Sequence, residues 1–593
     1  MVRCNIEADD GLCRGWPFEG GMNRYAIGAL MMMGLVAACA EYRRPPRPQA
    51  QIGVDAGADG GAGGSGGPCG LATESDAPVE PALAPPPITG GHLAAVGDGT
   101  WVAGDPDRGL LWHLDGTGVL AQIPFSREDW IGRVAVSGRK AWVVLRRAGV
   151  LAEVDLDTRI VTRRETCVEP RALLIRGGDA PLVGCADGTI ESFDAAGVPT
   201  VFLQSPLLDD LRDLEFDGSR LLASTFRTAQ VFEVTTAGVF PLLTVRGDAS
   251  SVPRVGWRLR QGVLTAQDQT TTVVPIAQCS AYGGVDAPSV VTSALYSVDG
   301  ARLTRLETLS DAVLPVDVVR TPSAFFVASA GSQSVVRVVP DGGTSTIALP
   351  GMPTSVAADD GTVAVFVREP AQLILLGEDG ALRSAQLLGA SSVASTGHHL
   401  FHRSTTARIA CASCHPEAGE DGHVWSLAAH PRRTPTLRGG FSSTAPFHWG
   451  GEERDMSVLM ANVLTGRMAG PLQSAARTAS LVSWLDAQPA LRTPRVDLSA
   501  AERGRALFES EAVGCASCHA GAQGTNNETV DVGTGGAFQV PRLVELSWRT
   551  HLLHDGSLLR LEDRLREQRD SHGRLSALSE AERGDLLAYL RSR

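Results

Sequence analysis

Two segments with the identical sequence Cys-Ala-Ser-Cys-His contain the residues best suited to chemistry. They occupy positions 411–415 and 515–519. Two thiols separated by two residues can each form a thioether with a vinyl group of one haem, and the histidine that follows is then placed to ligate the iron. The sequence therefore predicts two covalently attached haem c groups. Their attachment cysteines and proximal ligands are Cys411, Cys414 and His415, and Cys515, Cys518 and His519.

A zinc ribbon and a redox-active disulfide are the alternative uses of such cysteine pairs. A zinc ribbon places its two Cys-x-x-Cys pairs about 15–20 residues apart, whereas the two pairs here begin at Cys411 and Cys515. A redox-active pair needs no histidine after its second cysteine. Haem attachment is the interpretation that uses every residue of both motifs.

The composition is that of a folded chain of several domains. The chain has 593 residues, of which 43% are hydrophobic, and this is enough apolar material for buried cores. Its formal net charge is -13. Because nucleic acid binding calls for a concentrated basic face, we expect no nucleic acid partner.

The start of the chain predicts export. Residues 22–39 have a short polar head and an apolar run that is too short to span a bilayer, as in a signal peptide. Small residues directly before Cys39 resemble the lipobox of bacterial lipoproteins, in which that cysteine carries the lipid. An ordinary secretory signal with an incidental cysteine is the alternative. Residues 1–21 are unlike a signal head, so we expect translation to begin at Met22, a leader over 1–39 and a periplasmic protein anchored to a membrane through its lipid.

Residues 40–85 are rich in Gly, Pro and Ala and predict a disordered tether. From 86 to 389 the chain then repeats a pattern of turn, strand, turn and strand about every forty residues, which is typical of one four-stranded propeller blade per unit. A pair of β-sandwiches would not give so even a period. The seven units are 98–118, 137–159, 177–197, 217–238, 258–276, 321–343 and 359–381, with an insertion around 277–300.

The predicted fold class is therefore a seven-bladed β-propeller followed by further domains. Its rhythm resembles the periplasmic YVTN-type and lactonase-like propellers, although no catalytic or metal-binding motif stands out in it. Among its cysteines, Cys167 and Cys185 are close enough to bridge neighbouring strands, and disulfides are permitted outside the cytosol. Cys69 and Cys279 remain, and we predict a disulfide only for the pair Cys167 and Cys185.

Helical segments flank both Cys-x-x-Cys-His motifs. The four segments are 395–403 and 476–488 around the first motif, and 498–510 and 578–593 around the second. In the last two, Ser499 with Glu502 and Ser579 with Glu582 predict capping boxes. These segments resemble the first and last helices of cytochrome c, which cross beside the haem. The resemblance implies two all-α cytochrome c-like domains, 390–492 and 493–593, which we expect to fold separately from the propeller.

Further motifs make the resemblance more specific. The first domain contains "GHVWSL" with His423, "PRRTPTL" with Pro435, and "FHWGG" with Trp449; the second contains "VPRLVEL" (540–546) and "HLLHDGS" (551–557). Together they resemble the bacterial di-haem cytochrome c peroxidase superfamily. The resemblance implies that His423 is the distal ligand of the first haem and that Trp449 lies between the haems. A solvated loop histidine is the alternative for His423, and His430 or His448 would then be the candidates.

The chain departs from this family at several ligand positions. No methionine follows Cys518, and the position where the family has its methionine ligand falls near Gln568, so we predict His572 as the distal ligand of the second haem. A histidine there lowers the reduction potential. Arg433 stands where the family has an asparagine that helps to bind calcium, which speaks against that calcium. Glu452 and Glu453 are out of register with the family's catalytic glutamate, and Met456, Met460 and Met468 are spaced as core residues of a helix.

Two functions follow from these motifs. In the first, the protein is a peroxidase-like oxidoreductase that takes electrons from an external donor, such as a small cytochrome or a cupredoxin, and passes them through two haems to hydrogen peroxide or another acceptor. In the second, it is a non-catalytic electron-transfer lipoprotein whose propeller docks a partner. Catalysis by the propeller alone, such as lactone hydrolysis, is a third and weaker interpretation.

The duplicated motif predicts two covalent haems per chain. After expression with the cytochrome c maturation machinery, a pyridine haemochrome assay should give two haems for the wild-type chain and one after Cys515→Ala and Cys518→Ala are combined, because each motif supplies its own thioethers. One haem or none in the wild type would contradict the prediction.

Overall fold

The computed structural model describes residues 72–593 apart from 176–179, 195, 246–253, 270–289, 428–429 and 568–569. The predictions for the leader, for Cys39, for Cys69 and Cys279 and for the tether up to residue 71 lie outside the described residues. In the part of the chain that is described, no helix is both long enough and apolar enough to span a membrane.

Seven antiparallel sheets form the β-propeller. Blades 1 and 2 are β1 (Leu93–Ala95), β2 (Trp101–Asp105), β3 (Leu110–Leu114), β4 (Val119–Pro124), and β5 (Ile131–Ser137), β6 (Lys140–Leu145), β7 (Val150–Asp155), β8 (Val161–Glu165). Blades 3 and 4 are β9 (Pro170–Leu174), β10 (Leu182–Cys185), β11 (Thr189–Phe193), β12 (Pro199–Gln204), and β13 (Leu211–Asp217), β14 (Arg220–Thr225), β15 (Val231–Thr235), β16 (Gly238–Pro241).

The remaining blades follow the same order from the inner to the outer strand. Blade 5 is β18 (Arg254–Arg260), β19 (Val263–Gln269), β20 (Val291–Asp299) and β21 (Arg302–Leu309), joined by β17 (Leu243–Val245) parallel to β21. Blades 6 and 7 are β22 (Pro315–Arg320), β23 (Phe325–Ser329), β24 (Ser334–Val339), β25 (Gly343–Ala348), and β26 (Pro353–Asp359), β27 (Thr362–Val367), β28 (Gln372–Gly377), β29 (Leu382–Leu387).

The predicted seven blades are confirmed, with one correction in blade 5. The predicted insertion at 277–300 is wrong at its end, because β20 is the third strand of that blade and pairs with both β19 and β21. Blade 7 packs against blade 1, where Trp101 and Trp112 lie in one apolar cluster with Phe366, and the His92 amide donates to the Ser355 hydroxyl at 2.6 Å. The predicted disulfide between Cys167 and Cys185 is present, with 6.1 Å between the two Cα atoms.

The region after the propeller combines helices with two short hairpins. The helices are α1 (Thr396–His402), α2 (Cys411–Cys414), α3 (Met456–Leu459), α4 (Ala475–Asp486), α5 (Leu498–Glu509), α6 (Leu561–Arg566) and α7 (Glu580–Arg591), with a π-helix at Met460–Arg467. The hairpins are β30 (Val424–Leu427) with β31 (His430–Arg433), and β32 (Thr529–Asp531) with β33 (Ala537–Gln539). The all-α prediction therefore holds only in part.

Each Cys-x-x-Cys-His motif lies beside a helix crossing built in the same way. In the first unit α1 crosses α4, where Gly397 lies against the Ser480 backbone and the ring centroids of Phe401 and Trp484 are 4.9 Å apart. In the second unit the corresponding crossing joins α5 and α7. There Gly504 lies against the backbone of Asp585, and the rings of Phe508 and Tyr589 are 5.1 Å apart.

One of the two predicted capping boxes is present. Ser579 accepts a hydrogen bond from the Glu582 amide while the Glu582 carboxylate accepts one from the Ser579 amide, as predicted. The box at Ser499 is wrong, because α5 begins earlier and Asp497 caps it by accepting from two backbone amides. An aspartate is as good an N-cap as a serine, so local sequence does not decide between Asp497 and Ser499 as the start of α5.

The propeller and the first helical unit share one apolar core. Phe326 and Val335 of blade 6 belong to the same buried cluster as Phe401 of α1 and Trp484 of α4. The indole N–H of Trp484 also donates to the carbonyl oxygen of Pro85, 2.9 Å away. Separate folding of the propeller and this unit, as expected from the sequence, is not what the packing supports.

The described end of the predicted tether also lies against this unit. The Glu74 carboxylate forms ion pairs of 2.8 Å with both Arg403 and Arg477, and the Glu74 amide donates to the Leu472 carbonyl. Residues 72–85 are therefore held by the helices that they pass.

The first motif is docked on the propeller by a buried carboxylate. We call residues 413–423 the motif loop. Glu417 in this loop is 3% exposed and pairs with Arg146 of blade 2 at 2.7 Å and with Arg212 of blade 4. Burial alone would raise the pKa of Glu417, but these guanidinium groups outweigh it and hold the pKa well below its ordinary value. Glu417 is therefore ionised and fully paired.

The Gly504 crossing tolerates no side chain. A Cβ at this position would overlap the backbone of Asp585, so Gly504→Ala should lower the free energy of unfolding by about 1–3 kcal/mol or more. The matched control is Gly584→Ala in α7, where nothing lies within 4 Å of the new methyl group and helix propensity should raise stability by about 0.5–1 kcal/mol. Denaturant unfolding measures the free energy of unfolding of both variants, and equal values would contradict this prediction.

Removing the Glu417 charge should loosen the propeller from the motif loop. Glu417→Gln leaves buried arginines without their counter-ion, at a cost of about 3 kcal/mol, whereas Glu502→Gln at an exposed pair with Arg505 should cost less than about 1 kcal/mol. Because folding lowers the pKa of Glu417, its ionised carboxylate stabilises the fold fully above pH 4.5, the ordinary pKa, and less as the pH falls below that value. The difference in unfolding temperature between wild type and Glu417→Gln should therefore become smaller below that pH. A difference that became larger would contradict this account.

Candidate functional site

The thiols of both motifs are unbonded and largely buried. Cys411 and Cys414 are the first and last residues of α2, and neither these nor Cys515 and Cys518 form a disulfide. Burial raises the pKa of both Cys411 and Cys515 to about 11. Thiols in this state are structural rather than redox-active, so the chemistry of the motifs does not favour the disulfide alternative.

The two motif histidines are oriented in the same way. Nδ1 of His415 lies 3.0 Å from the carbonyl oxygen of Pro435, and Nδ1 of His519 lies 2.9 Å from that of Gly524. A carbonyl acceptor at Nδ1 requires the proton there and leaves Nε2 with its lone pair for a metal. Burial lowers the pKa of His415 to about 4 and also lowers that of His519, so both rings are neutral at pH 7, as ligation requires.

The second motif opens on a cavity of ≈ 370 Å³. Cys515, Cys518 and His519 lie in its wall, and much of the rest is apolar. The apolar residues come from both crossing helices and from the chain between them. They include Phe508, Val540, Leu543, Leu565, Leu586 and Leu590. A largely apolar space next to two cysteines and a histidine suits a flat aromatic macrocycle.

His572 faces His519 across this cavity. Their ring centroids are 6.1 Å apart and their planes differ by 33°. Two imidazoles that bind one metal from opposite sides, each by a bond of about 2 Å, have centroids about 6 Å apart. Burial lowers the pKa of His572 to about 4, and Arg564 donates a hydrogen bond to its carbonyl oxygen. The donor set and its spacing fit a haem held through His519 and His572.

Arg549 adds a cationic group to the same wall. It lines the cavity, is half-buried, and donates through Nη1 to the Arg542 carbonyl at 3.0 Å, while its Nε has no hydrogen-bond partner among the described residues. Burial lowers the pKa of Arg549 to about 10. A guanidinium in the wall of an apolar cavity fits a carboxylate such as a haem propionate.

At the first motif, His423 lies close to the segment that orients His415. The Thr434 amide donates to the His423 carbonyl at 3.3 Å, and the next residue, Pro435, supplies the acceptor for His415. The His423 ring is buried against Trp425, with centroids 4.8 Å apart. The alternative of a solvated loop histidine does not fit this burial. His430, in contrast, is exposed.

Two further carboxylates of the motif loop are buried beside His423. Asp421 accepts from the His423 amide at 2.9 Å and from the Trp425 indole at 3.1 Å, and burial raises its pKa to about 7. Glu420 lies between Arg433 at 2.6 Å and Arg227 of the propeller at 3.1 Å. Glu417 and Glu420 of the motif loop therefore pair with arginines of the propeller where the loop and the propeller meet.

Trp449 and Arg433 lie between the two motifs. The Trp449 indole N–H donates to the Arg433 carbonyl at 2.7 Å, and both residues line the cavity of the second motif. The Arg433 side chain is buried and donates to the His551 carbonyl at 2.6 Å in addition to its pair with Glu420. The Arg433 side chain is thus held by a carboxylate of the motif loop and a backbone carbonyl of the second unit.

The remaining predicted residues have structural positions. Met460 and Met468 are buried in the core, as predicted, and Met456 packs against it. Glu453 is buried and accepts from the Asn462 amide, and Glu452 lies 3.3 Å from Nδ1 of His448. In the described part of the chain, the one cluster of three or more His, Cys, Asp or Glu side chains close enough to share a metal ion is Cys167, Cys185 and Glu191, and its two cysteines form the disulfide.

Sequence reasoning missed the arginines. Arg212 lies in the inner strand of blade 4, next to a register shift that lets its side chain turn towards the motif loop. Arg133 and Arg171 hold similar places in blades 2 and 3. The signal was an arginine near the start of three successive repeats, in "GRVAV", "PRALL" and "LRDLE", where an apolar residue would otherwise be expected.

Comparisons with known proteins give no family for the chain. No family model and no curated protein matches it. Among solved structures it is similar to hydrazine synthase of Kuenenia stuttgartiensis, at 14% identity over 50% of this chain and 97% of that one, with a TM-score of 0.40. A second structure of hydrazine synthase aligns at 23% identity over 32% of this chain and 82% of that one, with a TM-score of 0.29. Virginiamycin B lyase from Staphylococcus aureus aligns at 8% identity over 53% and 89%, with a TM-score of 0.28. Likenesses at this level assign no function.

Proposed function

We propose that the chain is an exported di-haem c-type cytochrome with peroxidase-like oxidoreductase activity. The observation that carries the proposal is the second motif, where His519 and His572 face each other at 6.1 Å across an apolar cavity with Cys515 and Cys518 in its wall. A redox disulfide would need no such cavity. A zinc site would need a polar ligand cluster.

The helix crossings support two cytochrome c-like domains. Each unit has a glycine at the crossing and an aromatic pair four residues further along both helices. The same arrangement occurs twice around the same five-residue motif. We therefore assign 390–492 and 493–593 to the two haem domains, with the first of them fixed to the propeller.

When bound, a haem supplies an iron that exchanges single electrons and that can react with peroxide at an open axial position. The chain's own residues set the conditions for this chemistry. Pro435 and Gly524 fix the tautomers of His415 and His519 through their carbonyl oxygens, and the wall of the second site is largely apolar. Arg549 offers a charge-assisted donor to a propionate.

The two sites have different tasks in this proposal. His519 and His572 would together hold a haem in the second site, and two histidine ligands would suit that haem to relaying electrons at low potential. Peroxide would bind at the first site, and His423 is the ligand that would have to leave before it binds. Trp449 lines the second cavity and hydrogen-bonds the Arg433 backbone, two residues before the segment that orients His415, so it lies on a covalent and hydrogen-bonded route between the sites.

Two observations favour the alternative, a non-catalytic electron carrier whose propeller docks a partner. Glu453 is already bound to Asn462 and is not free to assist peroxide cleavage. The motif loop is buried against the propeller, which holds His423 in place. In this alternative both sites keep two histidine ligands permanently.

The cellular setting completes the proposal. We place the protein in the periplasm, held at a membrane by a lipid on Cys39, with a small cytochrome or cupredoxin as the electron donor. The export signal in 22–39 supports this placement. Haem c attachment by a cysteine pair is consistent with a compartment outside the cytosol.

Peroxide turnover by the half-reduced protein tests the peroxidase function. We expect wild type with only one haem reduced to consume peroxide, and His423→Gly to consume it without prior reduction, because the variant lacks the ligand that closes the first site. The matched control is His430→Gly, which removes an exposed histidine seven residues away and should behave as wild type.

Each other outcome of this assay has a definite meaning. An inert wild type beside a reactive His423→Gly variant would make His423 a permanent ligand and the protein an electron carrier. A His423→Gly variant with the wild-type absorbance spectrum in every redox state would show that His423 is not a ligand, and His448 would become the candidate.

A further inference from the structure

The propeller contacts the motif loop along its whole length. Ser413 lies inside the first Cys-x-x-Cys-His motif, and its hydroxyl is 3.4 Å from the Gln267 amide of blade 5. Two residues after the motif histidine, Glu417 pairs with Arg146 and Arg212. The loop ends at His423. Propeller side chains thus hold the stretch of chain that links the proximal ligand to the candidate distal ligand of the same site.

Gln269 provides the contact nearest to His423. It is the last residue of β19 and is 1% exposed, and its Nε2 donates to the Asp421 carboxylate at 3.0 Å. The other oxygen of that carboxylate accepts from the His423 amide at 2.9 Å. A two-bond chain therefore runs from the propeller through Asp421 to the backbone of His423.

Arg227 provides a second contact from blade 4. Its guanidinium pairs with Asp210 of the propeller at 2.7 Å and with Glu420 of the motif loop at 3.1 Å, and it also donates to the Trp548 carbonyl of the second haem domain at 2.5 Å. One buried side chain thus joins all three folded parts of the protein, and the carboxylate it holds is three residues from His423.

A buried hydrogen bond that must break without a replacement costs the desolvation of both groups. The backbone at His423 cannot move away from the first site while Asp421 and Glu420 stay bonded to the propeller. We propose that the propeller controls the distal ligand: Gln269 and Arg227 are positioning residues that hold His423 at the first haem. This inference rests on the proposed function, in which His423 is that ligand.

The spin state of the ferric protein tests this inference. Wild type should show both haems low-spin by absorbance and electron paramagnetic resonance. Gln269→Leu, which keeps the size of the side chain but loses the donor to Asp421, should make part of the first haem high-spin. It should also speed cyanide binding at one haem per chain by about tenfold, the effect of losing one buried hydrogen bond. Arg227→Gln is the second, independent variant and should act in the same direction, while Arg227→Lys should restore part of the wild-type behaviour.

Matched controls separate positioning from general stability. Gln372→Leu changes another buried propeller glutamine, whose Nε2 lies 3.5 Å from the Pro370 carbonyl in blade 7, and Arg163→Gln breaks the half-exposed pair with Asp129. Each control removes a polar interaction of the propeller and should lower the unfolding temperature. Neither should change the spin state or the cyanide rate of either haem, because neither residue touches the motif loop.

Three results are informative. Partial high-spin character and faster cyanide binding in Gln269→Leu and Arg227→Gln, absent from the controls, support the inference. Variants that match wild type in both readouts overturn it, while a high-spin His423→Gly variant in the same series leaves His423 as the ligand. A His423→Gly variant that stays low-spin overturns both the ligand assignment and the inference.

Discussion

The ion pairs of Glu417 with Arg146 and Arg212 are the interaction on which the arrangement of the protein depends. A carboxylate buried to this degree is tolerated only with its counter-charges in place, and both counter-charges come from propeller blades. Glu417 stands two residues after His415. The position of His415 is thereby tied to the propeller, and the same holds for His423 at the other end of the loop.

For this reason the two copies of the motif have different surroundings. The second copy borders an apolar cavity formed by α5, α7 and the chain between them, together with Arg433 and Trp449 of the first unit. The first copy shares its core and its ion pairs with the propeller. The first site can therefore respond to anything that moves or loosens the propeller, whereas the lining of the second cavity contains no propeller residue among those described.

Much of the fold could be predicted from local patterns in the sequence. The blade period, the motif spacing, the Ser579 cap and the Cys167–Cys185 bridge depend on residues near one another in the chain, so a pattern reveals them. His572 was also predicted in this way, because it is the nearest strong ligand to the expected position, and its ring lies 6.1 Å from that of His519.

Features that depend on distant residues could not be read in the same way. Arg212 and Glu417 are 205 positions apart, and nothing in the repeat of blade 4 says which carboxylate its arginine meets. The shared core of Phe326 with Phe401 has the same character. At α5 the error was local: Asp497 and Ser499 are equally good caps, and the packing of the helix decides between them.

A potentiometric titration of the full-length protein, followed by absorbance and electron paramagnetic resonance, tests the central claim most directly. The account predicts two one-electron steps and two low-spin ferric signals, with the second haem showing the low potential and the spectrum of two histidine ligands. A single haem, or a second haem that is high-spin when oxidised, would contradict it, because the facing rings of His519 and His572 would then not hold an iron between them.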